Sequence, residues 1–297
     1  MSILSQYPTL LQALREEMVP KFLATRSADG VPNVVPCTSL MPAGDVEDRL
    51  IFGNFLLRKS VGNLDSDPRV GIIVVTPALE GWVLQGEFLG WQRTGPYVDA
   101  LMNTDLLRYN AYTGVRNAGI IQLGAIRRAF RISRPRVLGE YLLARLSGTL
   151  FRADADERGL ARISDAVPAS PPSSASPASG GPAPMPLPVR RSFQALTALR
   201  VLAFLDNAGV PLTAPVLSLQ PVGARALAGA CGLAADWLAD LPAGAPVAAS
   251  LLTLDIVSFQ AKGRWLGVRR ILGRPVGAMA VAEVYAGGPP IPGGRVM

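Results

Sequence analysis

The 297-residue chain contains no histidine and only two cysteines, Cys37 and Cys231. Without histidine, nucleophilic sites of the Ser-His-Asp and Cys-His types are excluded, and the commonest protein ligand of metals is missing. Two cysteines so far apart in the sequence do not suggest a disulfide framework or a cysteine-based zinc site. Any acid–base chemistry must therefore come from Asp, Glu, Lys, Tyr, Cys, water or a bound cofactor.

Long apolar segments are also absent. Although 49% of the residues are hydrophobic, no uninterrupted apolar run reaches the roughly 18 residues that a membrane span requires. The first residues, MSILSQYPTLLQALREEM, lack the basic start of a secretory signal and contain acidic residues early. We therefore expect a cytoplasmic protein that does not enter a membrane.

Charged residues make up only 17% of the chain, and the net charge is +7. Much of the excess lies in the stretch IRRAFRISRPR, which holds Arg127, Arg128, Arg131, Arg134 and Arg136. Residues 125–136 have two interpretations: a strand with a solvated basic face, or an anion-binding surface. No zinc-finger or aromatic RNA-binding signature accompanies these arginines, so nucleic acid is not an expected partner.

The spacing of apolar residues predicts a chain built mainly of β-strands. Helical spacing is found over residues 8–18, 97–108 and 138–150. Strands are expected over 21–26, 31–40, 50–52, 70–75, 82–91 and 119–132. Ala28-Asp29-Gly30 predicts a hairpin turn between the first two strands, because glycine readily adopts a positive φ.

A change of composition divides the chain. Residues 165–189, DAVPASPPSSASPASGGPAPMPLPV, are rich in Pro, Ala, Ser and Gly and contain few large apolar side chains. Such a segment cannot bury enough surface to offset the entropy lost on ordering. We therefore predict a first domain over 1–152, a disordered linker over 153–190 and a second domain over 191–297.

The second part of the chain repeats the first. The segment FLATRSADGVPNVVPCTSLMPAG, residues 22–44, aligns without a gap with VLAFLDNAGVPLTAPVLSLQPVG, residues 201–223. Ten aligned positions are identical, among them Gly30 with Gly209 and Pro36 with Pro215. A shared hairpin composition explains only a few such identities, so the pattern indicates two copies of one β-rich unit.

The repeat fails at the adjacent cations Arg58 and Lys59. The corresponding stretch of the second copy, GLAADWLAD, lacks both charges. The fold therefore does not require them. With the hydroxyl of Ser60 they make a plausible phosphate clamp, because arginine offers a forked donor set and lysine a compact charge. The alternative is a helix start with two solvated cations.

Residues 5–135 resemble the FMN-binding split-barrel family, whose namesake is pyridoxamine 5'-phosphate oxidase. The matching features are an N-terminal helix followed by ATRSADGVPNVVP, LIFGN, RKS, NLDSDPRVGIIV, WVLQGEFLGWQ and GPYVDAL. The resemblance implies a mainly β fold of two antiparallel, Greek-key-like split β-barrel units with flanking helices, the second unit being a degenerate copy.

The resemblance also implies a cofactor site. It assigns the phosphate of FMN to Arg58, Lys59 and Ser60. It assigns the flavin ring and ribityl chain to Phe52, Gly53, Asn54 and Phe55, with Pro36, Cys37 and Thr38 facing the flavin from the adjacent strand. Gly81 and Trp82 would approach the cofactor from the partner barrel. Phe52 and Trp82 have the alternative of being core aromatics, and Cys37 that of being a small buried apolar residue.

The chain departs from the namesake enzyme. It has no histidine, and its strand VVPCTSL carries none of the cations that the oxidase places there. Oxidation of vitamin B6 is therefore not expected. The resemblance implies an FMN-binding oxidoreductase that moves hydride between the flavin and NAD(P)H or a small organic substrate. The alternative is a non-catalytic flavin-binding, storage or sensor protein, and the choice between FMN and a deazaflavin stays open.

Family members commonly form their flavin sites between two barrels. Here the pairing could be a homodimer, or a pseudo-dimer of the two units within one chain. If the second unit is the partner, the resemblance makes its side chains part of the substrate pocket. The candidates are Arg264, Trp265, Arg269 and Arg270.

Overall fold

The computed structural model describes residues 2–54, 57–104, 115–154, 184–287 and 294–296, with the backbone alone for 58 and 148–154. The first unit contains a short 3-10 helix at Leu4–Gln6 and the following elements: α1 Pro8–Arg15, β1 Lys21–Arg26, β2 Pro32–Pro36, β3 Met41–Pro42, β4 Arg49–Gly53, α2 Arg58–Ser66, β5 Arg69–Val75, β6 Glu80–Gln92, α3 Pro96–Met102, β7 Ala118–Arg131 and α4 Arg134–Asp154.

The second unit begins with a helix and then repeats the strand pattern. Its elements are α5 Leu187–Gln194, β8 Leu199–Leu205, β9 Pro211–Pro215, β10 Gln220–Pro221, β11 Ala226–Ala230, a 3-10 turn at Gly232–Ala234, α6 Ala235–Asp240, β12 Pro246–Leu252, β13 Ser258–Ile271 and β14 Arg274–Ala286.

Each unit is a seven-stranded antiparallel sheet, and the two sheets have the same topology. The strand order is β2-β1-β5-β6-β7-β4-β3 in the first unit and β9-β8-β12-β13-β14-β11-β10 in the second. The register is also shared, since Phe22 pairs with Pro36 and their aligned counterparts, Val201 and Pro215, pair with each other. The prediction of two antiparallel split-barrel units in tandem is confirmed.

Some predicted element bounds were wrong. The strand expected over 31–40 ends at Pro36, and the residues after it form a turn. The strand expected through the arginine-rich stretch ends at Arg131, because α4 starts at Arg134 and Pro135 suits the first turn of a helix. The helix expected over 97–108 ends at Met102, and residues 105–108 lie outside the described part of the chain.

Most of the predicted linker, residues 155–183, also lies outside the described part of the chain. Residues 153–154 end α4, and residues 187–190 begin α5. Met185 and Val189 are buried against the second unit, so the last residues assigned to the linker pack with that unit. The domain boundaries themselves stay a prediction.

The two units pack against each other through one continuous apolar core. This core includes Phe22, Ile73 and Val83 of the first unit together with Val201 and Val247 of the second. Strand β2 packs against β12 and β13, and reciprocally β9 packs against β5 and β6. The units are therefore related by an approximate twofold arrangement within a single chain, and each unit presents the same faces to the other.

Close backbone contact accompanies this packing. A Cβ atom added to Gly71 would lie 2.5 Å from the carbonyl oxygen of Pro211, so only glycine fits on β5 at this point. The Thr213 hydroxyl donates to the Ile72 carbonyl over 3.3 Å, and the Gln260 side chain donates to the Val34 carbonyl. These contacts hold β9 in register with β5, and β13 with β2, where the two units meet.

A buried cation occupies the same position in both units. The Lys21 ammonium donates to the Glu16 carbonyl over 2.6 Å and lies 3.5 Å from the Thr38 carbonyl. Arg200, the aligned counterpart of Lys21, donates to the Leu217 carbonyl, and Leu217 is the counterpart of Thr38. Both copies thus use a cation at the start of their first strand to hold the turn after the second strand.

Among the described residues, no helix is both long enough and apolar enough to cross a membrane.

Candidate functional site

Strand β4 leads directly into the predicted cofactor-binding segment. The amide of Asn54 donates to the Asn117 carbonyl over 3.0 Å, and the amide of Gly53 donates to the Ser39 hydroxyl over 3.0 Å. These bonds fix the end of the strand beside the start of β7. The side-chain Oδ1 of Asn117 is buried and has no hydrogen-bond donor among the described residues. A buried acceptor of this kind is costly unless a donor reaches it.

Helix α2 is fixed to the first unit by two side-chain hydrogen bonds. Asn33 on β2 donates to the Ser60 hydroxyl over 3.0 Å, and Asn63 donates to the Thr25 hydroxyl over 2.9 Å. Ser60 is buried, so its hydroxyl contributes to anchoring the helix. Lys59, the residue before it, is exposed, and its side chain extends towards the second unit.

The side chain of Lys59 meets a polar cluster that the second unit supplies. Its ammonium lies 3.3 Å from the ring centroid of Tyr285, and the ammonium of Lys262 lies 6.0 Å from the same centroid. The Tyr285 hydroxyl donates to a carboxylate oxygen of Glu283 over 2.7 Å, and Arg295 pairs with Glu283 at 3.4 Å. We call this cluster of Lys59, Lys262, Glu283, Tyr285 and Arg295 the first seam.

The register of β13 and β14 explains why these side chains converge. Tyr285 lies opposite Gln260, and Glu283 lies opposite Lys262. Directly opposed residues of an antiparallel pair point to the same face of a sheet. Since Gln260 donates to the Val34 carbonyl of the first unit, this face is the one that meets the first unit.

The first seam has an excess of positive charge. Of its described charged residues, three are cations and only Glu283 is an acid. Burial, together with the nearby Lys59 charge, lowers the pKa of Lys262 from 10.5 to about 8. Partial desolvation of its ammonium also lowers the pKa of Lys59, although Glu283 opposes that effect. The pKa of Tyr285 is raised by burial and by its hydrogen bond to Glu283. An anion placed here would favour the charged form of both lysines.

Two further residues are assigned to the cofactor, Phe55 and Arg58. Phe55 lies outside the described residues, and only the backbone of Arg58 is described, at the first position of the helix. Their assignment to the flavin stays a prediction.

The aromatic candidates are core residues. The Phe52 ring is fully buried, packs edge-on against Trp91 at 5.6 Å between centroids, and lies directly over Gly119. Trp82 is buried in the interior of the first unit. Gly81 lies against the Phe130 ring, where a Cβ atom would come within 2.4 Å of it. Among the described contacts, none brings Gly81 or Trp82 to Lys59.

Pro36, Cys37 and Thr38 lie at the end of β2 and in the turn that follows. Burial raises the pKa of the Cys37 thiol to about 12, so this cysteine stays protonated and unreactive near neutral pH. The amide of Cys37 donates to the Lys21 carbonyl over 2.7 Å, and the Thr38 carbonyl faces the buried Lys21 ammonium. The backbone of this turn is thus positioned by the cation that both units share.

The candidates named on the second unit lie elsewhere. Trp265 is buried in the interior of the second unit, and Arg264 donates to the Gly244 carbonyl. Arg269 and Arg270 are at the far end of β13. The distance along the strand from Lys262 to Arg269 is ~23 Å at about 3.3 Å per residue.

Sequence reasoning missed the residues that the second unit contributes to the first seam, namely Lys262, Glu283, Tyr285 and Arg295. One signal was present. The chain contains only three lysines, Lys21, Lys59 and Lys262, among 29 cationic residues. Lys21 is structural, and the other two meet at the first seam. A lysine in the strand SFQAKGRWLG, in a chain with so few lysines, was therefore an indication of a site.

The other contact between the units, formed by Arg128, Asp236 and Trp237, has different chemistry, and we call it the second seam. Helix α6 is the counterpart of α2, and Asp236 is its second residue as Lys59 is the second residue of α2. Arg128 on β7 forms an ion pair with Asp236, lies 3.9 Å from the Trp237 ring centroid and donates to the Leu233 carbonyl. The second seam is thus closed by its own ion pair, and Arg128 is not part of a freely solvated basic face.

Two other arginines of the stretch 125–136 are also paired. Arg131 forms an ion pair with Glu80 at 3.3 Å, and Arg136 forms one with Glu140 at 2.9 Å within α4. The bidentate contact with Arg128 lowers the pKa of Asp236. Three of the five arginines of the stretch are thus paired with acids, and its role stays a prediction.

No family model matches the sequence. No curated protein matches it either.

Solved structures similar to part of the chain include an FMN-binding protein from Syntrophomonas wolfei, at 17% identity, with a TM-score of 0.36, covering 44% of this chain and 92% of the other. An F420 reductase matches at 21% identity and a TM-score of 0.31, covering 39% and 94%. HutZ, described as the heme storage protein of Vibrio cholerae, matches at 14% identity and a TM-score of 0.32, covering 42% and 93%. Each match spans about the length of one unit, and the similarity concerns the fold and not the activity.

Proposed function

We propose that the chain is an FMN-binding flavoprotein whose single cofactor site lies at the first seam. In this proposal it acts as an oxidoreductase that moves hydride between the flavin and NAD(P)H or a small organic substrate. The observation that carries the proposal is the convergence of Lys59 from one unit with Lys262 and Arg295 from the other, opposed by one carboxylate.

The residues present fit a phosphate-bearing flavin. A phosphate monoester carries up to two negative charges near neutral pH, and the first seam offers an excess of two positive charges among its described residues. Lys59, Lys262 and Arg295 would hold the phosphate, with Arg58 as a further candidate. The buried Oδ1 of Asn117, for which the described residues supply no donor, would accept a hydrogen bond from the bound molecule.

The chemistry that a bound flavin supplies is hydride transfer at its ring system, and the protein contributes position and electrostatics. Lys59 and Lys262 would orient the molecule through its phosphate end. No catalytic acid or base is assigned. The second unit thus has a defined role in the proposal, which is to supply half of the phosphate-binding charge.

The binding test compares FMN with riboflavin, which has the same ring system but no phosphate. Fluorescence titration of the full chain is expected to show tighter binding of FMN. Lys59→Ala should weaken FMN binding by about tenfold or more, because a charge-assisted hydrogen bond contributes ~1.5–3 kcal/mol. Arg270→Ala removes an equal charge from the far end of β13 and should leave the affinity unchanged. Equal affinities for FMN and riboflavin would rule out the phosphate site.

The activity test follows the absorbance of bound flavin under anaerobic conditions after addition of NADH or NADPH. Rapid bleaching supports the oxidoreductase. A tightly bound flavin that neither nucleotide nor a panel of small reductants bleaches would instead support the non-catalytic alternative, a flavin-binding, storage or sensor protein. A parallel titration with a deazaflavin decides between the two cofactor classes that the sequence left open.

A further inference from the structure

A cavity of about 630 Å³ lies between the first turns of α4 and the second unit. Its volume is within the range of ~300–1,000 Å³ that is typical of small-molecule sites. One wall is formed by α4, including Gly139 and Leu143, and the other by the ends of β11 and β14 with the hairpin residue Leu272. It is separate from the first seam, and none of the residues proposed to bind the flavin lines it.

Internal symmetry gives this cavity a specific place in the fold. The amide of Cys231 donates to the Pro275 carbonyl over 2.9 Å, which repeats the bond between Asn54 and the Asn117 carbonyl in the first unit. Pro275 and Gly232, the residue after Cys231, line the cavity. The cavity therefore lies in the second unit where the predicted ring-binding segment lies in the first, and α4 forms one of its walls.

The charges around the cavity indicate the ligand class. Arg136 and Arg274 line it together with one acid, Glu140, which is already paired with Arg136 at 2.9 Å. Arg274 therefore provides a cation beyond those that the lining acid neutralises. The same cavity also has apolar walls, which are formed by Leu143, Leu272, Pro135 and Pro275. Leu272 is 82% exposed, so a ligand that contacts it would cover apolar surface that is now open to solvent.

We propose that this cavity is a second ligand site, and that it binds a small carboxylate with an aromatic or aliphatic body. The carboxylate would pair with Arg274, since a guanidinium can donate two parallel hydrogen bonds to a carboxylate. The apolar body would contact Leu143 and Leu272. A phosphate-bearing flavin does not fit this side, because Asp236 stands at the position of Lys59. The proposal does not depend on flavin binding at the first seam.

The test uses 2-naphthoate as a fluorescent probe and the full-length chain. Equilibrium titration is expected to give saturable binding with one site per chain. Gly139→Phe should weaken binding at least about tenfold. A Cβ atom at Gly139 meets nothing within 4 Å, so the added ring can enter the cavity without disturbing the helix. Arg274→Gln should weaken binding by a similar factor because it removes the charged partner.

Matched controls separate this site from general adsorption. Arg270→Gln removes an equal charge from the same hairpin but from a residue that does not line the cavity, and its affinity for 2-naphthoate should equal that of the wild type. The neutral analogue 2-naphthylmethanol should bind at least about tenfold more weakly than 2-naphthoate. FMN should not displace the probe.

Three results would overturn the proposal. They are undetectable binding of 2-naphthoate, an unchanged affinity in Gly139→Phe whose unfolding midpoint equals that of the wild type, and displacement of the probe by FMN. The last result would assign the probe to the first seam.

Discussion

The two seams join the same pair of units through equivalent elements, yet their charges are reversed. At the first seam the helix start supplies a cation, Lys59, and the facing strand supplies the aromatic ring of Tyr285. At the second seam the helix start supplies the acid Asp236 and the aromatic Trp237, and the facing strand supplies Arg128. Both arrangements hold the units together, but only the first leaves an excess of positive charge.

A second comparison shows which cations the fold needs. Lys21 and Arg200 occupy equivalent positions, are buried in both units and donate to carbonyls of equivalent turns. Lys59 has no such counterpart. A cation that both copies retain is explained by folding, whereas a cation that only one copy retains needs another explanation. Ligand binding at the first seam is the explanation that we propose.

The largest effect on FMN affinity is expected when a charge at the first seam is reversed. Lys262→Glu is expected to lower the affinity for FMN by about a hundredfold or more, because it removes an attraction and adds a repulsion towards the phosphate. Fluorescence titration measures the change. Arg264→Glu, further along the same strand, makes the same change of charge outside the seam and should have little effect. Comparable losses in both variants would show that only net charge matters.

A smaller change in FMN affinity is expected when the pH is varied, and it tests the role of Lys262 directly. The pKa of Lys262 is lowered to about 8, so in the free protein this ammonium loses its proton above that pH. FMN affinity should therefore fall as the pH rises from 7 to 9, by at most about tenfold per pH unit. The charged and titratable groups facing Lys262 are Lys59, Glu283, Tyr285 and Arg295. Lys262→Arg should flatten the profile, and a wild-type affinity constant over this range would contradict the assignment.

The free energy of unfolding of the ligand-free protein should rise with pH, whereas the affinity for FMN falls. Unfolded lysine keeps its proton up to about pH 10.5, while folded Lys262 and Lys21 lose theirs near pH 8. The unfolded state then binds more protons between these values, so the contribution of these lysines to the free energy of unfolding rises with pH. Urea denaturation at pH 7.5 and 9.5, with and without FMN, separates the two effects.

The smallest effect is expected at the second seam. Asp236→Ala removes the partner of Arg128 and should lower the free energy of unfolding by up to about 1 kcal/mol, since the pair is partly exposed to solvent. FMN affinity should not change. Asp240→Ala in the same helix is the control for loss of an exposed acid. A loss of FMN binding in Asp236→Ala would mean that the second seam also holds the cofactor, and the contrast between the seams would fail.

The fold was well predicted from the sequence because the duplication showed the pattern of the first strands twice. The gapless alignment of residues 22–44 with 201–223 matched the first two strands of both units, and their register follows it. Element ends were less predictable, because the arginine-rich stretch has no apolar periodicity to mark where β7 ends and α4 begins. Pro135 was the available signal for that boundary.

The candidate site was only half predictable. Lys59 stood out by its absence from the second copy, but its neighbours come from the opposite end of the chain. Tyr285 and Glu283 reach Lys59 only through the antiparallel register of β13 and β14 and the packing of one unit on the other. Such long-range juxtaposition leaves no local pattern around Tyr285 or Glu283. The burial of Phe52 and Trp82 likewise depended on which face of each strand meets the interior.

Joining both units in one chain has a consequence for how the two seams could diverge. In a symmetric pair of identical chains, every substitution appears at both contacts, so Lys59 at one contact and Asp236 at the other could not coexist. A tandem chain removes this constraint, and one contact can specialise while the other serves cohesion alone. The covalent connection also makes the pairing independent of protein concentration, so the composite site should survive dilution that would dissociate a two-chain assembly.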